Sequence, residues 1–271
     1  MYASNNDDLN KSLTLLILSC DKFSDLWESH IYLLNKNWKD RRLRTILVTD
    51  KPTKKKFQNV EIIYSNNNLE FSDRIKYVLN FIQTKYVLIT LDDYFPVNVV
   101  NSNNILRLVN IMSMENLDYL RLFKDPNSYK KFKGFKNLYT IKLDSNYQVN
   151  LYQGIWRIDF VRYTIDKSLD AWEYEVTLTE KAIKYNAKCV LSKGNEFKLL
   201  DVVRKGKFLH KSYRYLKKNN LYQGPREIIS YKLEIKYFVF SLGKKILPKK
   251  IALIIKKILI KRGFKFYSDI K

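Results

Sequence analysis

The sequence predicts an α/β fold in which helices flank a mixed, Rossmann-type sheet, followed by a basic helical C-terminal extension. Three observations support this prediction. Apolar runs typical of strands buried on both faces alternate with amphipathic stretches at helical spacing. The 271 residues, 46% of them hydrophobic, suffice for one large core. The formal net charge is +23, and most of the excess lies in the last third of the chain.

The first hundred residues contain strands alternating with helices. Apolar runs predict strands over residues 13–19, 44–50, 60–64 and 85–91. The spacing of large apolar residues predicts a helix over 23–38, capped by Ser24, and a second helix over 71–82. Strands and helices that alternate in this way form βαβ units with a parallel sheet.

After Pro96 the pattern changes, and the later strands are expected to be mixed or antiparallel. The predicted elements are helices over 105–114 and 171–185 and strands over 117–123, 138–143 and 148–153. Residues 153–156 read as a turn that opens a helix to about residue 165. The basic, aromatic residues 124–136 are predicted to form a loop that covers a site as a lid.

Composition excludes several classes of protein. The only cysteines are Cys20 and Cys189, and the only histidines are His30 and His210, so a disulfide framework and a Cys/His zinc site are not expected. The polar first ten residues argue against a secretory signal, and no apolar run is long enough to span a bilayer. No glycine-rich dinucleotide loop and no P-loop occur, which disfavours nicotinamide enzymes and nucleoside-triphosphate hydrolases.

Acidic residues follow three of the predicted strands. Asp21 and Asp50 come after the first two, and the adjacent Asp92 and Asp93 come after the strand at 85–91. In an open α/β sheet ligands bind outside the carboxyl ends of the strands, so these acids would face one crevice. A divalent metal carrying a phosphorylated ligand would compensate two adjacent carboxylates. The alternative is an exposed turn in which both aspartates cap the next segment.

Five segments, in this order, resemble bacterial nucleotide-sugar-dependent glycosyltransferases of the GT-A fold that build capsular or lipopolysaccharide chains. They are Ser19–Asp21, Phe71–Arg74, Leu91–Phe95, Gln153–Trp156 and Trp172–Glu175, and the resemblance covers about residues 10 to 210. The resemblance places Asp92 and Asp93 at the family's Asp-x-Asp motif, which holds Mn²⁺ or Mg²⁺ on the donor diphosphate. Tyr94 stands where the second Asp of that motif would be. The resemblance therefore implies that Asp93 is the main metal ligand and that Asp92 contacts the donor sugar or the ribose. A metal-independent site, in which Lys or Arg replaces the cation, stays open.

The same resemblance assigns residues to the donor nucleotide. Ser19, Asp21 and Asp50 would surround the nucleoside, and Asp73 and Arg74 would reach the base and the diphosphate. The guanidinium of Arg74 suits this task because it pairs bidentately with phosphate oxygens. An ion pair of Arg74 with Asp73 or Glu70 on a solvated face is the alternative.

Inversion at the sugar requires a carboxylate that takes the proton of the acceptor hydroxyl. The resemblance implies Glu175 for this role, with Glu173 second; an acid-rich first helical turn favoured by the helix dipole is the alternative. Trp156 and Trp172 would be sugar-stacking walls unless they belong to the core, and Gln153 and Gly154 would contact the acceptor sugar. Lys205 and Lys207 would hold a diphosphate or belong to a general basic surface.

The sequence divides into a glycosyltransferase-like domain over residues 1–210 and a basic amphipathic segment over 211–271. Within the latter, apolar and basic residues mix over 235–260, with Pro248 separating two predicted helices that either contact an anionic membrane or pack on the core. The resulting hypothesis is an enzyme peripheral to the cytoplasmic face of the cell membrane. It would transfer a sugar, expected from a UDP-linked donor, to a polyprenyl-diphosphate-linked or growing saccharide. The alternatives are a sugar nucleotidyltransferase and a basic nucleic-acid-binding protein; nucleic acid is disfavoured because the strands end in acids.

Overall fold

The computed structural model of the chain describes residues 3–66, 68–122, 130–222 and 224–235. The helices are α1 Ala3–Ser12, α2 Trp27–Asn37, α3 Phe71–Leu79, α4 Ser102–Met114, α5 Ile158–Thr164, α6 Ala171–Tyr185 and α7 His210–Lys218. The first strands are β1 Leu13–Leu18, β2 Thr45–Thr49, β3 Glu61–Tyr64, β4 Tyr86–Leu91, β5 Tyr94–Pro96 and β6 Tyr119–Arg121. They are followed by β7 Leu138–Thr140, β8 Gly154–Arg157, β9 Cys189–Ser192, β10 Leu199–Asp201, β11 Val203–Arg204 and β12 Lys207–Phe208.

Eight strands form one mixed sheet in the order β3-β2-β1-β4-β8-β6-β9-β7. β1 is parallel to both β2 and β4, and β2 is parallel to β3. β8 is antiparallel to both β4 and β6, so β6 runs in the same direction as β4. The carboxyl ends of β3, β2, β1, β4 and β6 therefore lie along one edge of the sheet, here called the carboxyl edge.

Helices cover both faces of the sheet, and each face has its own apolar core. Alternate residues of the central strand β1 face opposite ways, with Leu15 and Ile17 in one cluster and Leu16 and Leu18 in the other. The first cluster includes apolar residues of α1, α2 and α4. The second includes apolar residues of α3, α5 and α6. This arrangement confirms the predicted α/β class with a mixed sheet between helices.

Several predicted boundaries are wrong. The helix predicted from residue 23 begins at Trp27, because Asp21–Phe23 form a short 3-10 helix. Ser24 lies in right-handed helical conformation at the end of that turn, so it does not cap α2. Residues 148–153 are bends rather than a strand, and the predicted turn at 153–156 is mostly the strand β8. The structure adds α1 and β9, which the pattern of apolar residues did not predict.

The chain divides into two compact units, residues 1–200 and 201–271. In the second unit β11 and β12 form an antiparallel hairpin, and α7 follows. Much of the predicted lid at 124–136 and nearly all of the predicted amphipathic pair at 235–260 lie outside the described residues. Within the described part of the chain, no helix is both long and apolar enough to cross a membrane.

Candidate active site

The centre of the carboxyl edge is the boundary between β1 and β4. From β1 the chain connects outward to β2 and β3 on one side, while β4 lies on the other side, so the strand order reverses here. Ser19 directly follows β1 and Asp92 directly follows β4. Such a switch point leaves a crevice in which α/β proteins bind ligands.

A chain of hydrogen bonds fixes the Asp92 carboxylate. The indole Nε1 of Trp27, which can only donate, lies 2.6 Å from Ser19 Oγ. Ser19 Oγ accepts that bond and donates its own proton to Asp92 Oδ2. All three residues are buried. Asp92 is therefore a held carboxylate whose orientation depends on α2 as well as on its own strand.

His30, also on α2, holds the backbone of the same residue. Its Nδ1 lies 2.9 Å from the Asp92 carbonyl oxygen, which can only accept, so Nδ1 carries the proton. Burial lowers the pKa of His30 to about 4, which keeps the ring neutral near pH 7. The ring also meets Phe95 edge-on at 5.3 Å. Sequence analysis missed both α2 residues; the available signal was that Trp27, His30 and Leu34 share one apolar helix face.

Asp50 organises the neighbouring part of the edge. Its Oδ1 accepts the backbone N–H of Asp21 at 2.6 Å, and its Oδ2 lies 3.8 Å from a terminal nitrogen of Arg74. Lys51 pairs with Asp21 at 3.3 Å. Burial raises the pKa of the Cys20 thiol, and the charges of Asp92 and Asp50 raise it further. Asp50, which follows β2, and Asp92, which follows β4, therefore both raise the pKa of the Cys20 thiol.

Arg74 lies at this edge rather than on a solvated helix face. Its guanidinium reaches the Ser19 carbonyl at 3.5 Å, pairs with Asp50, and lies 5.8 Å from the centre of the Phe71 ring. The ion pair of Arg74 is therefore with Asp50, and the alternative of a pair with Asp73 or Glu70 is wrong. In the described part of the chain, the buried Nε of Arg74 has no hydrogen-bond partner. A buried donor without a protein acceptor, on a guanidinium that also pairs with Asp50, suits an anionic ligand at this edge.

Asp73 serves a different contact. Its carboxylate accepts the hydroxyl of Ser168, and the neighbouring Ser72 exchanges hydrogen bonds with the backbone of Lys167 and Leu169. These bonds tie α3 to the segment before α6. The predicted contact of Asp73 with the nucleotide stays a prediction.

The acidic pair offers few ligands to a metal. Asp92 is buried and one of its oxygens accepts the Ser19 proton, while Asp93 is half-buried. Among the described residues no group of three or more His, Cys, Asp or Glu side chains could hold an ion. Mg²⁺ often takes only one or two carboxylates and completes its shell with substrate phosphates and water. The pair fits an ion bound in that way, and it does not fit a metal held by protein ligands alone.

Glu175 and Glu173 have different environments. Glu175 Oε1 accepts the backbone N–H of Leu151 at 3.0 Å, and burial raises the pKa of its carboxyl group. Glu173 is exposed and forms a capping box, in which the Asp170 side chain accepts the Glu173 N–H and Glu173 accepts the Asp170 N–H. The alternative for both acids was a place in the first helical turn, where the helix dipole favours negative charge. Glu173 fits this alternative.

Ring contacts connect Glu175's neighbours to the acidic pair. Tyr152 follows the Leu151 that binds Glu175, and its ring lies 5.4 Å from that of Tyr94. Tyr94 follows Asp93 directly. Residues 150–153 precede β8, whose Gly154 pairs with Ile89 near the end of β4. The segment that holds Glu175 thus passes the carboxyl end of β4.

Two of the residues assigned to the acceptor lie inside the protein. Trp156 is 1% exposed and packs against Tyr119 and Phe160, so its prediction as a sugar-stacking wall is wrong. Gly154 is also buried: a Cβ there would lie 2.9 Å from the Tyr119 ring and 3.1 Å from the Leu120 carbonyl oxygen. Its small size is needed for strand packing and not for the approach of a sugar, which corrects that expectation too.

Trp172 and Gln153 remain compatible with contact to a ligand. Trp172 is 55% exposed in the first turn of α6. Gln153 is buried, and its side-chain Oε1 has no hydrogen-bond partner in the described part of the structure. Their roles stay predictions. Lys205 and Lys207 belong to the second unit, where Lys207 pairs with Glu227.

Arg121 is a residue of this edge that sequence analysis missed. It ends β6, pairs in register with Gly154, and is 3% exposed. A terminal nitrogen lies 3.5 Å from the Gln148 carbonyl oxygen. The available signal was a single arginine near the end of a predicted strand, because arginine is seldom buried without a partner. The stretch Leu117–Phe123 was interpreted only as an apolar strand.

Comparison with solved structures places the fold in the GT-A-like class. Residues 1–349 of TarS from S. aureus, in complex with UDP-GlcNAc, match with a TM-score of 0.51 and 14% identity. The match covers 73% of this chain and 60% of that chain, so the protein spans about three fifths of the TarS fragment. At this identity the likeness shows the fold alone.

A UDP-glucose pyrophosphorylase complexed with UDP-glucose matches with a TM-score of 0.48 and 7% identity, over 70% of this chain and 93% of that chain. The bifunctional IspDF from Campylobacter jejuni matches with a TM-score of 0.41 and 12% identity, over 70% and 52%. No protein-family model and no curated protein sequence matches the chain.

Proposed function

We propose that the protein is an inverting glycosyltransferase that moves a sugar from a nucleotide-sugar donor, a UDP-sugar in our assignment, to a hydroxyl group of a saccharide. The observation that carries the proposal is the meeting of Arg74, Asp50 and Asp92 at the switch point of the sheet. The shared fold with TarS, which was crystallised with UDP-GlcNAc, supports a donor of this class.

The donor would lie along the carboxyl edge. Asp50 and Asp21 would meet the nucleoside, and Arg74 would pair with the diphosphate through the Nε that no described acceptor occupies. Asp92 would contact the ribose or the donor sugar, since its orientation is fixed by Ser19 and Trp27. Lys51, paired with Asp21, adds a second positive charge near the proposed nucleoside position.

Asp93, with Asp92 beside it, would hold a divalent ion. Mn²⁺ or Mg²⁺ would supply charge neutralisation for the leaving diphosphate. Because Tyr94 replaces the second acid of the metal motif and the site has few carboxylates, a metal-independent reaction in which Arg74 takes this role is the alternative.

Glu175 would be the general base. Burial raises the pKa of Glu175, which makes its carboxylate a better proton acceptor than that of an ordinary glutamate. In the proposed step Glu175 takes the hydroxyl proton as the acceptor oxygen bonds to the anomeric carbon. The bond from that carbon to the diphosphate breaks on the opposite face, and the diphosphate leaves with the electron pair. Trp172 and Gln153 would line the acceptor's path.

The acceptor we propose is a polyprenyl-diphosphate-linked or growing saccharide of a surface polysaccharide, such as a capsule or lipopolysaccharide. The support is the charge of the chain from Arg204 onward, where lysines and arginines far outnumber the acids Glu227, Glu234 and Asp269. A chain segment of this charge is attracted to anionic lipid and to diphosphates. It would hold the enzyme at the cytoplasmic face of the membrane.

The test is turnover of a panel of UDP-sugars by the purified protein, with and without Mn²⁺. Release of UDP that depends on an added saccharide acceptor is the expected result. In parallel, UTP and sugar 1-phosphates are supplied; release of pyrophosphate would instead identify a nucleotidyltransferase. The Asp93→Asn variant should lose the stimulation by Mn²⁺. Failure to consume any UDP-sugar while pyrophosphate forms would overturn the proposal.

A further inference from the structure

A concave site lies beside the outer strands of the sheet. It is a groove of about 480 Å³. Thr49 of β2 and Ile62 and Tyr64 of β3 form one wall, and the loop between those strands, with Lys55, Lys56 and Phe57, forms the other. We call it the edge groove. It shares no lining residue with the set Ser19, Asp21, Asp50, Arg74 and Asp92.

The wall of the edge groove contains a polar group that the protein does not satisfy. Thr49 is fully buried, and its hydroxyl has no hydrogen-bond partner among the described residues. Burying a hydroxyl without a partner is unfavourable, and such groups in native proteins are rare. Thr49 borders the groove but has no exposed surface, so a ligand that widened the groove slightly would supply the missing partner.

The remaining lining combines positive charge with aromatic rings. Lys55 and Lys56 are exposed, and neither forms an ion pair with a described acid. Lys55 Nζ is held at 2.7 Å from the Ser24 carbonyl oxygen, which uses one of its three donors and leaves two. Phe57 is half-buried and Tyr64 is 41% exposed, so both rings present surface on which a flat or cyclic group can stack.

We propose that the edge groove binds a small cyclic organic phosphate, with the ring against Phe57 and Tyr64 and the phosphate on Lys55 and Lys56. Nucleotides and sugar phosphates share this chemistry, and the volume accommodates a compound of either kind. Thr49 would bind a hydroxyl or carbonyl group of the ring. This site is additional to the proposed donor site and does not depend on the glycosyltransferase assignment.

The test follows the methyl groups of Val60 and Ile62, which line the groove, by NMR of protein labelled at Ile and Val methyls. The probes are uridine 5′-monophosphate, glucose 1-phosphate, uridine and inorganic phosphate. We expect one or both organic phosphates to shift these two methyl signals with half-saturation below about 1 mM, and uridine or phosphate alone to shift them much more weakly. The two organic phosphates distinguish the nucleotide from the sugar phosphate.

Three variants separate this site from the rest of the molecule. Lys55→Gln with Lys56→Gln alters only exposed side chains and should abolish the shifts. Thr49→Val removes the buried hydroxyl at nearly constant shape and should weaken binding about threefold to tenfold without loss of folding. Arg74→Gln, which disrupts the proposed donor site, should leave the shifts intact.

Three results would overturn the proposal. One is the absence of any shift of Val60 and Ile62 at probe concentrations of about 10 mM. Another is an equal response to inorganic phosphate, since the ring would then contribute nothing. The third is loss of the shifts in Arg74→Gln, because the signal would then come from the donor site.

Discussion

The proposed donor side and the proposed acceptor side hold their side chains in different ways. On the first, here called the donor side and defined by Ser19, Asp50, Arg74 and Asp92, side chains from separate elements bind each other. On the second, here called the acceptor side and defined by residues 150–154 and α6, Glu175 is held by a single backbone N–H. In the proposed reaction the donor would therefore meet a preorganised site, whereas Glu175 would keep its freedom to gain and lose a proton.

Replacing Glu175 should have the largest effect on activity. Glu175→Gln removes the proposed proton acceptor while it keeps the size of the side chain, so the rate should fall about 10²- to 10⁴-fold. Donor affinity should change little, because the donor side is untouched. The measurement is steady-state turnover of the UDP-sugar identified above, together with donor binding by calorimetry.

Glu173→Gln is the matched control for that substitution, since Glu173 is exposed and takes part in the capping box of the same helix. Its turnover should stay within about twofold of the wild type. Equal losses in both variants would remove Glu175 as the specific base. The acid limb of the rate profile should also lie above the ordinary glutamate range, because the pKa of Glu175 is raised.

His30 should make the donor side sensitive to acid. Its folded pKa of about 4 is lower than the ordinary 6.5, so the neutral ring stabilises the fold fully above pH 6.5. That contribution, about 3 kcal/mol, is lost as the pH falls from 6.5 to about 4. Urea unfolding of the wild type and of His30→Gln at several pH values measures it. The variant should show a smaller loss over this range, and parallel curves would contradict the prediction.

Ser19 should stabilise the donor side more than a serine that serves a neutral acceptor. Ser19→Ala leaves the buried Asp92 carboxylate without one donor and Trp27 without its acceptor, which should cost about 1.5 to 3 kcal/mol of unfolding free energy. The matched control is Ser65→Ala, where a buried hydroxyl donates to the Thr49 carbonyl. There the expected loss is about 1 kcal/mol. Chemical denaturation compares the two; similar losses would contradict a special role for Ser19.

Gly154 should show a smaller effect on the acceptor side. In Gly154→Ala the new methyl group would crowd the Tyr119 ring and the Leu120 carbonyl oxygen. Overpacking of this kind destabilises by about 1 to 3 kcal/mol, and the lower backbone entropy of Ala recovers about 0.5 to 1. Thermal unfolding should therefore show a modest decrease. Gly134→Ala is a useful comparison, since no atom lies near its Cβ position but its positive φ makes the backbone strained.

The donor side was largely predictable from sequence because its elements are local. Each strand from β1 to β4 is a continuous apolar run, and parallel strands bring Asp50, Asp92 and Ser19 to one edge wherever the helices go. The roles of Trp27 and His30 were missed because the sequence does not show which group a polar atom on an apolar helix face will bind. The partner of each is more than seven residues away along the chain.

The acceptor side depends on pairings between distant segments and was predicted less well. β8 is a strand because it pairs with β4 and β6, and nothing within Gln153–Arg157 indicates that. Residues 148–153 resembled a strand but are not one: Tyr147 has a positive φ, and the Asn150 side chain binds the backbone of Tyr147 and Tyr152. These local hydrogen bonds take the place of a strand ladder.

The insertion of β8 also constrains the order in which the chain can assemble. β1 to β4 come first from the ribosome, yet β4 keeps an open hydrogen-bonding edge until residues 154–157 arrive to cover it. Exposed edges of this kind recruit other chains. A fragment that stops before Gly154 should therefore aggregate or occupy chaperones, whereas one that extends through β9, which covers the other edge of β6, should accumulate as a folded product.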